Sequence, residues 1–349
     1  MACPDYAKGW QQAVKPYRKP ILSKSIWQIV NSVVPFFALW WLAYWCLSNS
    51  YSYGLTVFFA GLAGCVSVRL FIINHDCGHG SFFQSKRAND IVGFWTALFS
   101  YTPYLRWRHG HALHHASYGQ IEDRGVGYFW IMGLEEYKNA SKWTRLLYRL
   151  YRHPLTIFAI GGLYLFVVEF RSPHQSVNAA QTRGVWAANF ILATVFGVLG
   201  WYIGYWNLFL IQFPISVVSA VLGVFLFYAQ HHYEGSYWAP KETWSYERAG
   251  LEGSSYLKLD PVTQWFAGNI NFHHIHHLAP KIPNYRLQEA HENIPMFNAV
   301  KPLTVWKAMT YWNLRLVDEK NCEWSDFPGP HATVSTPKPQ ETPPVDLPA

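Results

Sequence analysis

The 16 histidines of this chain are unevenly distributed, and half of them share two spacings that suit metal binding. The densest segment is Asn-Phe-His-His-Ile-His-His-Leu at residues 271–278. There His273, His276 and His277 stand at i, i+3 and i+4, so a helix would present their imidazoles on one face. The same H-x-x-H-H spacing and a related i, i+4 pair occur earlier, at His111, His114 and His115 and at His75 and His79. Imidazoles are common ligands of transition metals, so we predict a metal site.

The histidines with metal-binding spacing are too many for a single ion. His231, at the end of the last long apolar run, is a ninth predicted ligand, and its neighbour His232 is the alternative. One ion takes about four to six ligands, so the set indicates two ions. Ligation by nitrogen without thiolate fits iron, zinc or copper. We predict no catalytic residue beyond the metal site, and we interpret the other histidines as ordinary residues: His109, His153, His174, His274, His291 and His331.

Polar residues near the histidines are candidates for a supporting role. A coordinated imidazole normally donates its second N–H to a carboxylate or carbonyl oxygen, which fixes the orientation of the ring. Helix capping and simple solvation are the alternative roles for such residues. The candidates are Asp76, Asp123, Glu234, Asp260 and Asn269.

The composition indicates that the histidines are held by a membrane protein. Half of the residues are hydrophobic and 14% are charged, against about 25% charged in soluble domains. The 18 Trp, 22 Tyr and 23 Phe suit aromatic belts at the membrane surfaces. The net charge is +7, and the basic residues cluster on either side of the apolar runs, which suits an anionic membrane surface. No nucleic-acid-binding motif is present. The five cysteines form no C-x-x-C, so we predict reduced thiols.

Four apolar runs are long enough to cross a bilayer, for which a helix needs about 20 residues. They are residues 26–47, 54–73, 185–205 and 208–229. A shorter run, Pro154–Phe170, has arginines on both sides, so we predict that it lies at the interface. Four crossings with the basic flanks inside place the N-terminus and every histidine segment in the cytoplasm.

The predicted fold is an all-α membrane protein with four transmembrane helices, interfacial helices and a cytoplasmic helical cap that holds the two metals. Residues 1–25 are predicted to be a basic cytoplasmic arm, and residues 26–320 the membrane domain. Residues 321–349 are rich in proline and are predicted to be disordered. The first apolar run lacks a small-residue cleavage site, so we predict no cleaved signal peptide.

The order of the histidine motifs resembles that of the membrane fatty acid desaturases. H-D-C-G-H at residues 75–79 is followed by one H-x-x-H-H after a short gap and by another after the remaining apolar runs. Further stretches are similar to the acyl-lipid Δ12 (omega-6) type of bacteria and plastids: residues 74–83 (NHDCGHGSFF), 87–90 (RAND), 102–104 (TPY), 253–255 (GSS) and 268–285 (GNINFHHIHHLAPKIPNY). Two positions depart from that type. His232 stands where Gln or Thr is usual, and Tyr128 where an acidic residue is common.

The resemblance implies a function for the metals and for the membrane. Two iron ions in the histidine site would use O2 and two electrons to form a cis double bond in an acyl chain of a membrane lipid. The His-Pro-Gly-Gly element of a fused cytochrome b5 domain is absent. The electrons are therefore expected from a separate protein, either ferredoxin or cytochrome b5. We expect a Δ12 product and a bacterial inner membrane, with a plastid or endoplasmic reticulum membrane as the alternatives.

Two other functions are weighed against a desaturase. A diiron hydroxylase or carotenoid oxygenase would use the same ligands, and product mass separates the two, since a desaturase removes two hydrogens and a hydroxylase adds oxygen. A histidine-rich membrane protein that binds zinc for transport or sensing is disfavoured. Transport sites lie near the middle of the bilayer, whereas these histidines lie outside the apolar runs.

Overall fold

The computed structural model describes residues 7–127 and 129–328, and most of these residues are helical. Tyr128, which departs from the Δ12 type, lies outside the described residues. The α-helices are α1 Trp10–Val14, α2 Leu22–Ser48, α3 Tyr53–His79, α4 Lys86–Ala97, α5 Tyr104–Ser117, α6 Leu134–Asn139, α7 Lys142–Tyr151, α8 Ala179–Ile203, α9 Tyr205–His231, α10 Tyr246–Leu251, α11 Pro261–Phe266, α12 His273–Leu278, α13 Leu287–Asn293, α14 Pro295–Asn298 and α15 Val305–Thr310.

Four helices of the described chain are long and apolar enough to cross a membrane, namely α2, α3, α8 and α9. This confirms the predicted fold class. The segment Thr156–Arg171, which follows α7, consists of π-helical and 3-10 turns and is bent by 73° from α7. The two together form a fifth crossing if the bent pair is one span. The interfacial placement of Pro154–Phe170 therefore stays a prediction.

The surface of α2 shows why this helix belongs in a membrane. Its large exposed side chains form an apolar stripe: Ile26, Val30, Val34, Phe37, Trp41 and Trp45. The opposite face is buried and includes the polar residues Ser25, Gln28 and Ser32. An apolar surface facing outward and small polar groups facing neighbouring helices is the arrangement expected in lipid. The chain is a membrane protein.

Arg69 is a buried charge close to the cytoplasmic ends predicted for the spans. Its Nε donates to Ser32 Oγ at 3.1 Å, and it also donates to the carbonyl of Trp265. The guanidinium lies 4.4 Å from the centre of the Trp265 ring. Because a charge near the hydrocarbon region needs internal partners, this arrangement also fixes α11 against α2 and α3.

Five short strands outside the candidate spans pair with one another and hold distant parts of the chain together. They are β1 Met132–Gly133, β2 Tyr256–Lys258, β3 Pro302–Thr304, β4 Leu316–Asp318 and β5 Glu323–Ser325. Parallel strands β2 and β3 form one sheet, and a second sheet has the order β1-β4-β5, with β1 parallel and β5 antiparallel to β4. The predicted basic arm is also ordered in part, since Trp10 and Val14 of α1 pack into the hydrophobic core around α12 and α13.

Regular structure extends into the segments predicted as the arm and the tail. Helix α2 begins at Leu22, four residues before the predicted apolar run. At the other end, disorder was expected from residue 321, but β5 pairs with β4 beyond that point. Trp324 of β5 is buried against Ile121 and Trp238, which explains why the chain stays ordered there. Residues 329–349 lie outside the described residues.

Candidate metal centre

The first two histidines lie at the end of a membrane-spanning helix. His75 and His79 are in the last turns of α3, which ends at Gly80 with a φ of 64°. Glycine adopts this left-handed conformation without the steric cost of a Cβ atom. The four-residue spacing keeps both imidazoles on the same helical face, and the break after His79 leaves them at the end of the candidate span.

Helix α5 supplies three histidines and is held in place by a buried ion pair. Arg106 of α5 lies 2.7 Å from the carboxylate of Glu169 and also donates to the Glu169 carbonyl at 3.1 Å. The next residue, Trp107, stacks on His111, which lies one turn further along α5, with ring centroids 4.6 Å apart. These contacts fix the rotation of α5 and aim His111, His114 and His115 at the end of α3.

The last four histidines are joined by backbone hydrogen bonds. His231 ends α9, and the amide of Ser255 donates to the carbonyl of Gln230 at 2.9 Å. The carbonyl of Ser255 accepts from the amides of His273 and His274 at 3.2 and 3.3 Å. Ser255 therefore connects the end of α9 to the start of α12.

Five of the histidines converge as a first group, here called cluster A: His75, His79, His111, His115 and His276. One nitrogen from each lies within 4.8 Å of the others. The Nε2 atom of His115 lies 3.1 Å from that of His111 and 3.0 Å from that of His276. Cluster A lies closer to solvent than the rest of the site, since His79 and His111 are half-buried.

The other four histidines form a second group, here called cluster B: His114, His231, His273 and His277. The Nε2 atom of His231 lies 3.1 Å from those of both His114 and His273. All four residues are buried. The structure thus brings together the eight histidines selected by spacing and His231, which was selected by its position at the end of an apolar run.

The composition of both clusters fits metal ions. Burial lowers the pKa of His111 and His276 well below its usual range and that of His115 to about 3, so these rings are neutral and can coordinate. Two nitrogens about 2.1 Å from one ion and at right angles lie roughly 3.0 Å apart, close to the distances found here. The Nε2 atoms of His75, His79 and His277 are buried and find no hydrogen-bonding partner among residues 7–127 and 129–328. A metal ion in each cluster would satisfy them.

The clusters do not follow the sequence motifs. His111 and His115 belong to cluster A, whereas His114, on the same helix, belongs to cluster B. Helix α12 is divided in the same way, with His276 in cluster A and His277 in cluster B. Each H-x-x-H-H motif therefore bridges the two clusters, and neither cluster forms without both motifs.

Asp76 is the predicted supporting residue that the structure places against a cluster. One carboxylate oxygen lies 3.1 Å from Nδ1 of His75, which turns Nε2 of that ring toward cluster A. The other oxygen accepts from the backbone and side-chain nitrogens of Asn284 at 2.6 and 2.8 Å. Asn284 in turn accepts from Gln28 of α2 at 3.0 Å. This buried chain of hydrogen bonds reaches from the first span to a cluster histidine.

Other predicted supporting residues lie elsewhere. Glu234 is solvent-exposed beyond the end of α9. The side chain of Asn269 accepts from Gln264 at 3.0 Å, and the residue has a φ of 58° in the turn before α12. Asp260 caps α11 by accepting from the amides of Val262 and Thr263, the alternative role considered for it. In the described residues, none of these three side chains hydrogen-bonds a cluster histidine.

His232 and His274 adjoin cluster histidines in sequence but point away from both clusters. The His232 ring is stacked between Tyr228 and Trp324, at centroid distances of 3.9 and 4.3 Å. His274 is fully buried and packs near His291 and Phe297. The structure thus places His231, not its alternative His232, in the cluster.

Some residues at the site were not predicted. Tyr118 packs on His231 with centroids 4.1 Å apart, and its hydroxyl donates to the His231 carbonyl at 2.9 Å. Asn284 lies in the quoted motif at residues 268–285, but its role depends on Asp76, which is distant in sequence. Tyr118 follows His115 by three residues, and this helical spacing is the sequence feature that could have indicated its place beside the histidines.

Comparisons with known proteins agree with this geometry. The profile described as fatty acid desaturase matches residues 48–306. The chain is 39% identical to a fatty acid desaturase of Bacillus subtilis over 331 residues, which are 95% of this chain and 94% of that protein. It is 29% identical to the sn-1 acyl-lipid omega-3 desaturase (ferredoxin) of Synechocystis sp. over 289 residues, or 73% of each chain. It is 32% identical to the omega-3 fatty acid desaturase, endoplasmic reticulum, of Vigna radiata over 242 residues, 63% of this chain and 60% of that protein.

Proposed function

The chain belongs to the fatty acid desaturase family and is an oxidoreductase, and on that premise we propose that it forms a cis double bond in an acyl chain of a membrane lipid. One observation supports this most strongly. Clusters A and B meet at the ends of α3 and α9, so the whole site lies at one end of the candidate spans. An acyl chain can reach such a site without leaving the lipid.

We propose that cluster A and cluster B each hold one iron ion. Bound iron would activate dioxygen for removal of hydrogen from an unactivated CH2 group. The reaction takes one hydrogen atom from each of two neighbouring carbons and uses two further electrons and two protons, so that one O2 leaves as two water molecules. The electrons enter from a separate protein.

The chain's own residues orient the ligands and keep water out. Asp76 holds the Nδ1 side of His75, and Trp107 covers the face of His111. Burial of all four cluster B histidines excludes bulk water from that half of the site. Rigid placement matters because the reacting carbons must be presented within a few tenths of an ångström of the productive position.

We propose ferredoxin as the electron donor, with cytochrome b5 as the alternative. The support is that the Synechocystis relative carries ferredoxin in its name. The net charge of +7 suits an acidic donor that docks electrostatically. Turnover with purified donor should then fall as ionic strength rises, and a rate that is independent of salt would contradict electrostatic docking.

For the position of the double bond we propose Δ12, and for the location a bacterial inner membrane with the clusters on the cytoplasmic side. The motif stretches support Δ12, and the bacterial relative supports the membrane. The names of the Synechocystis and Vigna relatives make omega-3 the second candidate position.

The test is the fatty acid profile of a host that lacks polyunsaturated lipids and expresses this chain with a ferredoxin and its reductase. Δ12 activity predicts a new 18:2 species in cells that contain oleate. Omega-3 activity predicts a product only when 18:2 is supplied. A product that gains oxygen would identify a hydroxylase instead. The His276→Ala variant, inserted at the same level, is the matched negative control.

A further inference from the structure

Helix α7, Lys142–Tyr151, presents two outward faces that the spans and the metal centre do not use. One face is apolar and contains Trp143, which is 75% exposed, together with the exposed residues Leu146, Leu147 and Leu150. With 100° between successive residues, these four side chains fall on one side of the helix. Such a face is costly in water because its apolar area stays exposed.

The second outward face is basic and adjoins the apolar one. A surface cavity of about 290 Å³ lies there, lined by Tyr137, Lys142, Arg145, Leu146, Arg149 and Pro328. Across the described residues, no carboxylate forms an ion pair with Lys142 or Arg145. The cavity therefore gathers positive charge beside the exposed leucines, and the described part of the chain supplies no ion-pairing carboxylate to Lys142 or Arg145.

The third face fixes the orientation of α7. Tyr148 is fully buried; its hydroxyl accepts from the amide of Met132 at 3.1 Å and donates to the carbonyl of Arg315. Nε of Arg149 donates to the hydroxyl of Tyr137 at 2.6 Å. Because these contacts fix the helix, the apolar and basic faces cannot rotate into the protein and must contact something outside it.

We propose that α7 lies in the plane of the membrane surface and that its basic cavity binds the phosphate of an anionic phospholipid. An apolar face flanked by Lys and Arg is the pattern of helices that rest in the headgroup layer of anionic membranes. The inference extends beyond the desaturation reaction, because it concerns how the protein selects the lipids around it.

The experiment compares lipid binding by the full-length protein and by the variant Lys142→Gln/Arg145→Gln. Both proteins are stripped of lipid in detergent and titrated with phosphatidylglycerol or phosphatidylcholine, and retained lipid is counted by native mass spectrometry. Each charge at a membrane surface contributes about fivefold in binding. We therefore expect roughly 25-fold weaker retention of phosphatidylglycerol by the variant and no change for phosphatidylcholine.

Two controls make the result specific. The variant Lys241→Gln/Lys320→Gln removes the same charge from exposed turns outside α7 and outside the cavity lining, and it should retain phosphatidylglycerol as the parent does. The variant Lys142→Arg/Arg145→Lys keeps the charge and should also bind. In nanodiscs, amide exchange across α7 should be slower with phosphatidylglycerol than with phosphatidylcholine for the parent and for both controls, but not for Lys142→Gln/Arg145→Gln.

Three outcomes would overturn the proposal. The first is equal phosphatidylglycerol retention by the parent and the Lys142→Gln/Arg145→Gln variant. The second is competition by inorganic phosphate at the same concentration as the lipid, which would show a site for free phosphate. The third is a dimer in the native spectrum that is lost on Leu147→Ser, which would assign the apolar face to a second copy of the chain.

Discussion

Clusters A and B share two segments of the chain but differ in what fixes their rings. Cluster A takes four of its five histidines from the regular helices α3 and α5, and a buried carboxylate orients His75. Cluster B takes three of its four from the end of α9 and the short helix α12, which are joined through the backbone of Ser255. The comparison shows that the ring positions in cluster A depend on helix packing and on the Asp76 carboxylate. Those in cluster B depend mainly on the backbone hydrogen bonds of Ser255.

The largest expected effect comes from two adjacent residues of α12 that serve different clusters. His276→Ala removes a ligand from cluster A, and His277→Ala removes one from cluster B. Each should lower desaturation by more than about 100-fold, since even the residues that support ligands cost up to that much. Iron content should fall in each variant, and Mössbauer spectra should show the loss of a different iron component. Identical spectra for the two variants would contradict the division into clusters.

The next largest effect is expected when the carboxylate that supports cluster A is removed, because Asp76 contacts His75 of that cluster. Asp76→Asn weakens the orientation of His75, so we expect about 10- to 100-fold weaker iron binding at cluster A alone. Titration of the metal-free protein with Fe2+ measures this, independently of turnover. Glu234→Gln is the matched control, because Glu234 is an exposed carboxylate away from both clusters. Equal iron affinity in Asp76→Asn and the parent would remove Asp76 from the site.

A smaller effect tests the turn that precedes α12. Gly268 has a φ of 55°, and a Cβ atom there would lie 3.0 Å from the side chain of Ile72. Gly268→Ala should therefore destabilise the protein by about 1–2 kcal/mol and lower iron occupancy in both clusters, because α12 serves both. Thermal unfolding in detergent and iron content report this. The control is Gly223→Ala in α9, where added volume meets nothing within 4 Å. Unchanged stability and iron in Gly268→Ala would show that the turn does not position α12.

The smallest effect is expected next to a ligand. His274→Leu replaces a fully buried imidazole that belongs to neither cluster and packs near His291 and Phe297. An apolar side chain of similar size in such a place is nearly neutral, so stability should change by less than about 1.5 kcal/mol. Both irons should be retained, whereas the matched variant His273→Leu should lose iron from cluster B. Iron loss in His274→Leu would place that residue in the site.

Much of the fold could be predicted because its causes are local. An apolar run long enough to cross a bilayer is recognisable without any neighbour, and the four candidate spans contain most of the four predicted runs. The end of the ordered chain was harder to predict. Trp324 is ordered because Ile121 and Trp238, far away in sequence, cover it, and no local pattern contains that information.

The sequence by itself identified eight of the nine cluster histidines by their i, i+3 and i+4 spacings, which place the imidazoles of each motif on one side of a helix, and it identified His231 by its position at the end of an apolar run. Only the tertiary structure decided how they are divided. His276 and His277 diverge to different clusters because α12 lies between the ends of α3 and α9. The same is true of the supporting residues. Asp76 reaches a cluster through its neighbour His75 and is held in place by Asn284, whereas Glu234 extends into solvent. That difference depends on chain packing rather than on residue type.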